Sequence, residues 1–116
     1  MAVSAFASGT QTAVINTEHQ LADTNVTGVF TFHVDTVNMA SGDTLELRGY
    51  QMVLTGGTAR VYCLQTYYGA QSADDRIKIL DPIGNELTDS TSLRWSLKQT
   101  AGTGRNFPWK VLLIIS

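Results

Sequence analysis

The sequence predicts an all-β fold, an antiparallel β-sandwich of about eight short strands of the jelly-roll or another Greek-key type. Three observations predict it. Short runs alternate apolar and polar residues with a period of two. Turn-forming residues recur at spacings of roughly 8–15 residues. No helical periodicity runs long enough to supply the crossover helices that a parallel sheet needs.

The elements follow in order. Residues 1–12 are small and uncharged around Val3 and Phe6, and read either as a first strand or as an arm that orders on a partner. Gln11 to Asn16 reads as a short strand. Thr27 to Asp35 is stronger, with Phe30, Phe32 and Val34 on one face and Val29, Thr31 and His33 on the other. In Asp43 to Leu54, Leu45 and Leu47 share one face, and Tyr50, Met52 and Leu54 continue one residue out of step. Gly49 stands at the switch, where a β-bulge would restore the core face. Thr55-Gly56-Gly57-Thr58 is a hairpin turn, because paired glycines reach positive φ freely. Arg60 to Tyr68 returns as a strand closed by Gly69. Arg76 to Leu80 is a short one, and Asp81-Pro82-Ile83-Gly84-Asn85 has turn chemistry. Val37 to Ala40 and Asp89 to Ser92 are the only helix-like stretches, each a single turn. Leu93, Trp95 and Leu97 alternate with Arg94, Ser96 and Lys98. A glycine-containing loop over 100–106 leads to the final strand, Phe107 to Ile115, whose Leu112 to Ile115 run suggests burial on both faces.

With 116 residues, the chain reads as one domain with its own core. Charged residues make up 16% of it, well below the typical ~25%. A surface carrying few charges loses little to desolvation when it is covered by another protein. The net charge of −2 provides no field to draw in nucleic acid. Residues 1–58 hold five acids, Glu18, Asp23, Asp35, Asp43 and Glu46, against Arg48 alone. Residues 59–116 hold seven bases against five acids, so the halves either dock neighbouring copies or interleave in one sandwich. No apolar run approaches the ~18 residues of a membrane span. No secretory signal is expected, since residues 2–17 carry no Lys or Arg ahead of an apolar core. The single cysteine, Cys63, sits in an apolar strand and reads as a structural thiol in a protein made in a reducing cytosol.

No motif for chemistry stands out. His19 and His33 have no ligand spacing, so no metal and no cofactor is expected. Asp74 and Asp75 are adjacent, and on a strand they point to opposite faces rather than forming a dyad. No Gly-x-Ser-x-Gly elbow presents a serine. Gly102-Thr103-Gly104-Arg105 lacks the spacing of a phosphate loop. Asn25-Val26-Thr27 matches a glycosylation sequon with no secretory route to use it. A catalytic function is therefore not expected.

Contact residues are the remaining candidates. Tyr67 and Tyr68 end a strand and enter a polar loop, a favoured place for interface aromatics. Arg105 and Asn106 in the glycine loop form a second candidate patch, and Val3 and Phe6 a third on the opening segment. Trp95 and Trp109 lie in alternating strands, which favours the core; exposed on one sheet face, they would stack on sugar rings instead.

Gly42-Asp43-Thr44-Leu45-Glu46-Leu47, Leu54-Thr55-Gly56-Gly57-Thr58, Tyr68-Gly69-Ala70-Gln71 and Leu93 to Trp109 together resemble small virion proteins of tailed bacteriophages, of the capsid cement or decoration type. The resemblance runs from about Thr27 onward and rests on turn and strand residues. It implies a β-sandwich or jelly-roll protein that assembles, often as trimers, on the outer capsid surface. Its partner would be the major capsid protein, and it would clamp neighbouring capsomers in the virion with no nucleic acid or membrane involved. A tail or head-completion component and a non-catalytic carbohydrate-binding module are the alternatives.

Overall fold

The computed structural model describes residues 2–115. These residues form nine strands and no helix: β1 (Ala2–Thr12), β2 (Glu18–Thr24), β3 (Gly28–Asp35), β4 (Thr44–Gln51), β5 (Arg60–Tyr68), β6 (Ile77–Ile79), β7 (Ile83–Asn85), β8 (Leu93–Ala101) and β9 (Asn106–Ile115). Two antiparallel sheets pack face to face as a β-sandwich. One has the order β1-β9-β3-β6, with β7 also paired to β3; the other has the order β2-β8-β4-β5. We call them sheet A and sheet B.

Strand alternation decides what each sheet buries. From sheet A, Phe30, Phe32, Val34, Phe107, Val111 and Leu113 point inward; from sheet B, Leu45, Leu47, Cys63, Leu93, Trp95 and Leu97 meet them. Each fully buried side chain of this kind contributes about 1.5–3 kcal/mol. The Trp95 ring lies 5.5 Å from that of Phe30, and its indole N–H donates to the Tyr62 hydroxyl at 3.1 Å, so its polar atom is satisfied inside the core. Burial pushes the Tyr62 phenol up to about 12. A Cβ on Gly49 would come within 2.4 Å of the Tyr62 ring, so only glycine leaves room for that ring.

Lys78 lies on the short edge strand β6 and points inward, its side chain only 7% exposed. Its ammonium sits 3.0 Å from Asp75 and 4.8 Å from the centre of the Tyr67 ring. Tyr67 belongs to β5 of the other sheet, so this cation fastens sheet A to sheet B along one edge.

The β8–β9 loop is organised from below by Gln99, which is fully buried. Its amide donates to the carbonyls of Ala101 and Thr103, and its Oε1 accepts from the Arg105 N–H. The Arg105 Nε then donates to the Asp43 carboxylate at 2.8 Å, a pair whose acid is wholly buried. The Ala40 N–H donates to the same oxygen, tying the β3–β4 loop to the β8–β9 loop. Gly102 holds φ +90, and a Cβ there would come within 1.9 Å of Asp43 Oδ1.

Several sequence expectations need correction. The strand expected over Gln11 to Asn16 stops at Thr12, and Asn16 turns the chain with φ 64. Glu18–Thr24 is a strand the pattern hid, because its polar outward face and the irregularity between Gln20 and Ala22 leave little alternation. Ile83–Asn85, expected as a turn, pairs with β3 as β7. The register does shift at Gly49, but the residue left unpaired is Tyr62 on β5. Tyr50 therefore stays on the outer face and Leu54 is 73% exposed in the turn; of the three, Met52 alone is buried. The segment read as an arm or a first strand is strand β1, in register with β9 from Ala2↔Ile115 to Thr12↔Asn106. The acidic and basic halves interleave: Lys98 of β8 lies in register between Glu18 of β2 and Glu46 of β4.

The Asp43 pair makes stability depend on pH. Burial alone would raise the Asp43 carboxyl, but the Arg105 hydrogen bond, the Ala40 N–H and the Arg105 charge outweigh it and hold the group below the usual carboxylate range. A depressed folded value means the contribution is present above the unfolded pKa of roughly 3.9 and is lost as pH falls through the folded value. Asp43→Asn is expected to cost about 2–4 kcal/mol at pH 7. In urea unfolding, the gap between Asp43→Asn and wild type should narrow as pH drops below about 4; a gap that stays constant down to pH 2 would contradict this assignment.

Candidate interaction surface

The two outer faces of the sandwich differ in chemistry. On sheet B, the outward residues form cross-strand rows: Glu18–Lys98–Glu46, then Gln20–Ser96–Arg48, then Asp23–Arg94–Tyr50. They bind one another. Glu18 accepts from the Tyr50 and Ser96 hydroxyls, and Arg48 pairs with Glu46 at 2.8 Å. The Arg94 guanidinium stacks 4.2 Å from the centre of the Tyr50 ring. Burial would raise the Glu18 carboxyl, but the two hydroxyl donors and the Arg48 and Arg94 charges leave it below its ordinary value. Across β2, β8 and β4 sheet B thus ties most of its charged groups to one another, although Arg48 Nη1 and Arg94 Nε have no partner among the described residues and Val61 and Leu64 on the edge strand β5 are each 47% exposed.

Sheet A does not. With Phe30, Phe32 and Val34 turned into the core, Val29, Thr31, His33 and Asp35 face outward on β3. Register carries that parity across the sheet. Val3, Ile114 and Val29 form one row, and Ala5, Leu112 and Thr31 the next. Ser8, Lys110, His33 and Ile79 form a third, and Ile77 stands beside Asp35. Val3, Val29, Ile77 and Ile79 are each at least 40% exposed. With strands ~4.8 Å apart and a rise of ~3.4 Å per residue, this face covers on the order of 300–400 Å². Its apolar part, around Val3, Val29, Leu112 and Ile114, is of the size of the largest patch on an ordinary monomer, a patch that is often functional.

At the Asp35 end of this face lies a shallow depression of about 360 Å³ whose lining includes Ser8, His33, Asp35, Ile77, Pro108 and Lys110. Burial and the neighbouring Lys110 charge hold the His33 imidazole below its ordinary value, so at neutral pH the lining carries one cation and one anion. The His33 Nε2 lies 2.8 Å from the Thr31 hydroxyl, and the His19 Nε2 accepts from the Val14 N–H at 3.0 Å. Among the described residues, no cluster of three His, Cys, Asp or Glu could hold a metal ion.

The candidate contact residues divide between surface and interior. Val3 is 58% and Tyr68 72% exposed. Phe6 is turned toward the core, edge-on to Phe30 at 5.4 Å, and anchors β1 to the sandwich. Tyr67 packs on the core beneath Lys78. Arg105 is committed to Asp43. Asn106 is exposed, but its side chain accepts from Thr12 and its carbonyl from Asn38. Trp95 is fully buried and offers no ring to a sugar; Trp109 is partly buried against the core. The sequence pattern puts Val29 and Thr31 on the outer side of β3, where the structure has them, but gives no sign of the continuous outer face of sheet A. The Leu112 to Ile115 run read as burial on both faces because its outward residues are as apolar as its inward ones. Comparison with known protein families, curated proteins and solved structures finds no match to this chain.

Parity gives a direct test. Val29→Ser on the outer face should change stability by no more than about 0.5 kcal/mol. Phe30→Ala, one residue on, should cost about 3–5 kcal/mol. Urea unfolding measures both, and equal losses would refute the assigned faces.

Proposed function

We propose that this chain is a structural, non-catalytic assembly protein: a homo-oligomer, expected as a trimer, that decorates the outer surface of a bacteriophage capsid and clamps neighbouring capsomers. The observation that carries the reading is the contrast between the two outer faces. Across β2, β8 and β4 sheet B pairs its charges with one another and exposes apolar residues only at its β5 edge, whereas sheet A carries Val3, Val29, Leu112 and Ile114 side by side over three adjacent strands, on a chain with few charges to desolvate. Covering such a face with protein stabilises an assembly at little electrostatic cost. Multiple copies on a repeating lattice then gain avidity without any one contact being strong. The assignment to a capsid surface, with the major capsid protein as partner, comes from the resemblance to cement proteins. The strand order β1-β9-β3-β6 over β2-β8-β4-β5 fits a jelly roll, in keeping with that resemblance. The glycan-binding alternative loses its stacking platform at Trp95, which lies in the core.

The test is cosedimentation of the purified protein with mature phage capsids that lack it. Saturable binding in many copies per shell is expected, and Leu112→Glu, in the middle of the apolar face, should weaken it at least tenfold. A folded protein that stays in the supernatant at all concentrations would contradict the capsid role.

A further inference from the structure

We propose that His33 makes the covering of sheet A depend on pH: the face docks with the imidazole neutral and lets go when acid charges it. The inference rests on the reading above, that this face is covered on the shell, and adds the condition for its release.

His33 stands where a covering protein meets it. It lies on β3, which has β9 on one side and β6 and β7 on the other, so it is on an interior strand of the face. Register places it in one row with Ser8, Lys110 and Ile79. The neighbouring row, Ala5, Leu112 and Thr31, leads into the apolar part around Val3, Val29 and Ile114. The residue is already partly buried, and Ile77 and Pro108 wall the depression that it lines. Its Nε2 lies 2.8 Å from the Thr31 hydroxyl, which holds the ring on the face.

The charges around the ring set the direction. Lys110 stands directly across the β3–β9 pair, and like charges directly opposite on neighbouring strands repel. From β6, Ile77 and Ile79 face outward, while Lys78 between them turns inward to Asp75; β1 contributes Ser8. Asp35, two residues along β3, is the one anion, and its Oδ1 already accepts from the Val37 N–H. None of His33, Lys110 and Asp35 forms an ion pair among the described residues. A proton added to His33 therefore meets a cation across the strand and no close counter-ion. Burial and the Lys110 charge hold the imidazole below its ordinary value even in the free protein.

Covering the face sharpens this preference. Excluding water penalises the charged form of the imidazole further. The exposed Lys110 can run its stem along the surface and keep its ammonium at the rim, whereas an imidazole has no such reach. Docking thus lowers the His33 value, and by linkage protonation weakens docking by the same factor. The contribution is fully present above the His33 value of the free protein and is lost as pH falls below it. His19 cannot take this role, because it lies on β2 of sheet B with its Nε2 accepting from the Val14 N–H.

The experiment is cosedimentation with capsid shells at pH 7.5 and pH 5 for wild type, His33→Gln and Lys110→Gln. Nuclear magnetic resonance follows the two imidazoles of the free protein over the same range, and loss of one signal in His33→Gln assigns it. Glutamine keeps a neutral polar group beside Thr31, and circular dichroism checks folding. Wild type should bind at pH 7.5 and at least about fivefold more weakly at pH 5, while His33→Gln should bind with the same affinity, within about twofold, at both. In the free protein His33 should titrate below ~6.5. Lys110→Gln should move that midpoint, and the onset of release, to higher pH. Equal weakening of wild type and His33→Gln in acid, no weakening, or tighter binding in acid would each overturn the switch and leave the capsid reading standing. A His33 that titrates at or above ~6.5 in the free protein would overturn it without any capsid present. Failure to bind at pH 7.5 would remove the capsid reading and the switch together.

Discussion

Everything outside the core follows from the packing of Trp95 and its neighbours inside it. Trp95, Phe30, Phe32 and Phe107 are fully buried between two sheets. A strand side chain has only two directions, so fixing the inward residues fixes the outward ones. A slip of one residue in β3 would expose Phe30, Phe32 and Val34 together. The core therefore forces Val29 into solvent, and the pairing of β3 with β9 and of β9 with β1 forces Leu112, Ile114 and Val3 onto the same side. These residues lie outside because the sandwich has a single interior and their neighbours fill it.

The same end of the molecule that carries Tyr68 is held by polar rather than apolar contacts. Gln99 shapes the β8–β9 loop, Arg105 links it to Asp43, and the Asp43 carbonyl receives the N–H of Gly69. A buried acid with an arginine partner is a poor source of net stability compared with apolar packing, and a strong constraint on geometry once both groups are present. Here it ties three loops together: β3–β4, β5–β6 and β8–β9. The fixed Tyr68 backbone is a consequence of that network.

Much of this was legible in the sequence where one face of a strand is apolar and the other polar. Strands β3, β4 and β8 were readable for that reason, β5 and β9 as apolar and aromatic runs, and the Gly56-Gly57 turn from its paired glycines. Strand β2 was not, since its outward Glu18 and Gln20 answer residues on β8 and β4 that no local pattern reveals. β7 was hidden by Pro82 and Gly84, which read as a turn until β3 supplies a pairing edge. The exposed face of sheet A was legible in one residue, Val3, and illegible as a surface. Arg105 shows the converse: a charged residue in a glycine loop suggests an exposed contact, yet a partner 62 residues away draws it inside.

The central claim is that the outer face of sheet A is covered when the protein assembles. Covalent footprinting of side chains with photochemically generated carbene, read by mass spectrometry on the free protein and on the protein bound to capsid shells, addresses it most directly. The account predicts that Val29, Leu112 and Ile114 are labelled in the free protein and protected on the shell, while Tyr50 and Arg94 on sheet B label equally in both. Labelling of sheet A that does not change with assembly, or protection that falls on sheet B instead, would contradict it.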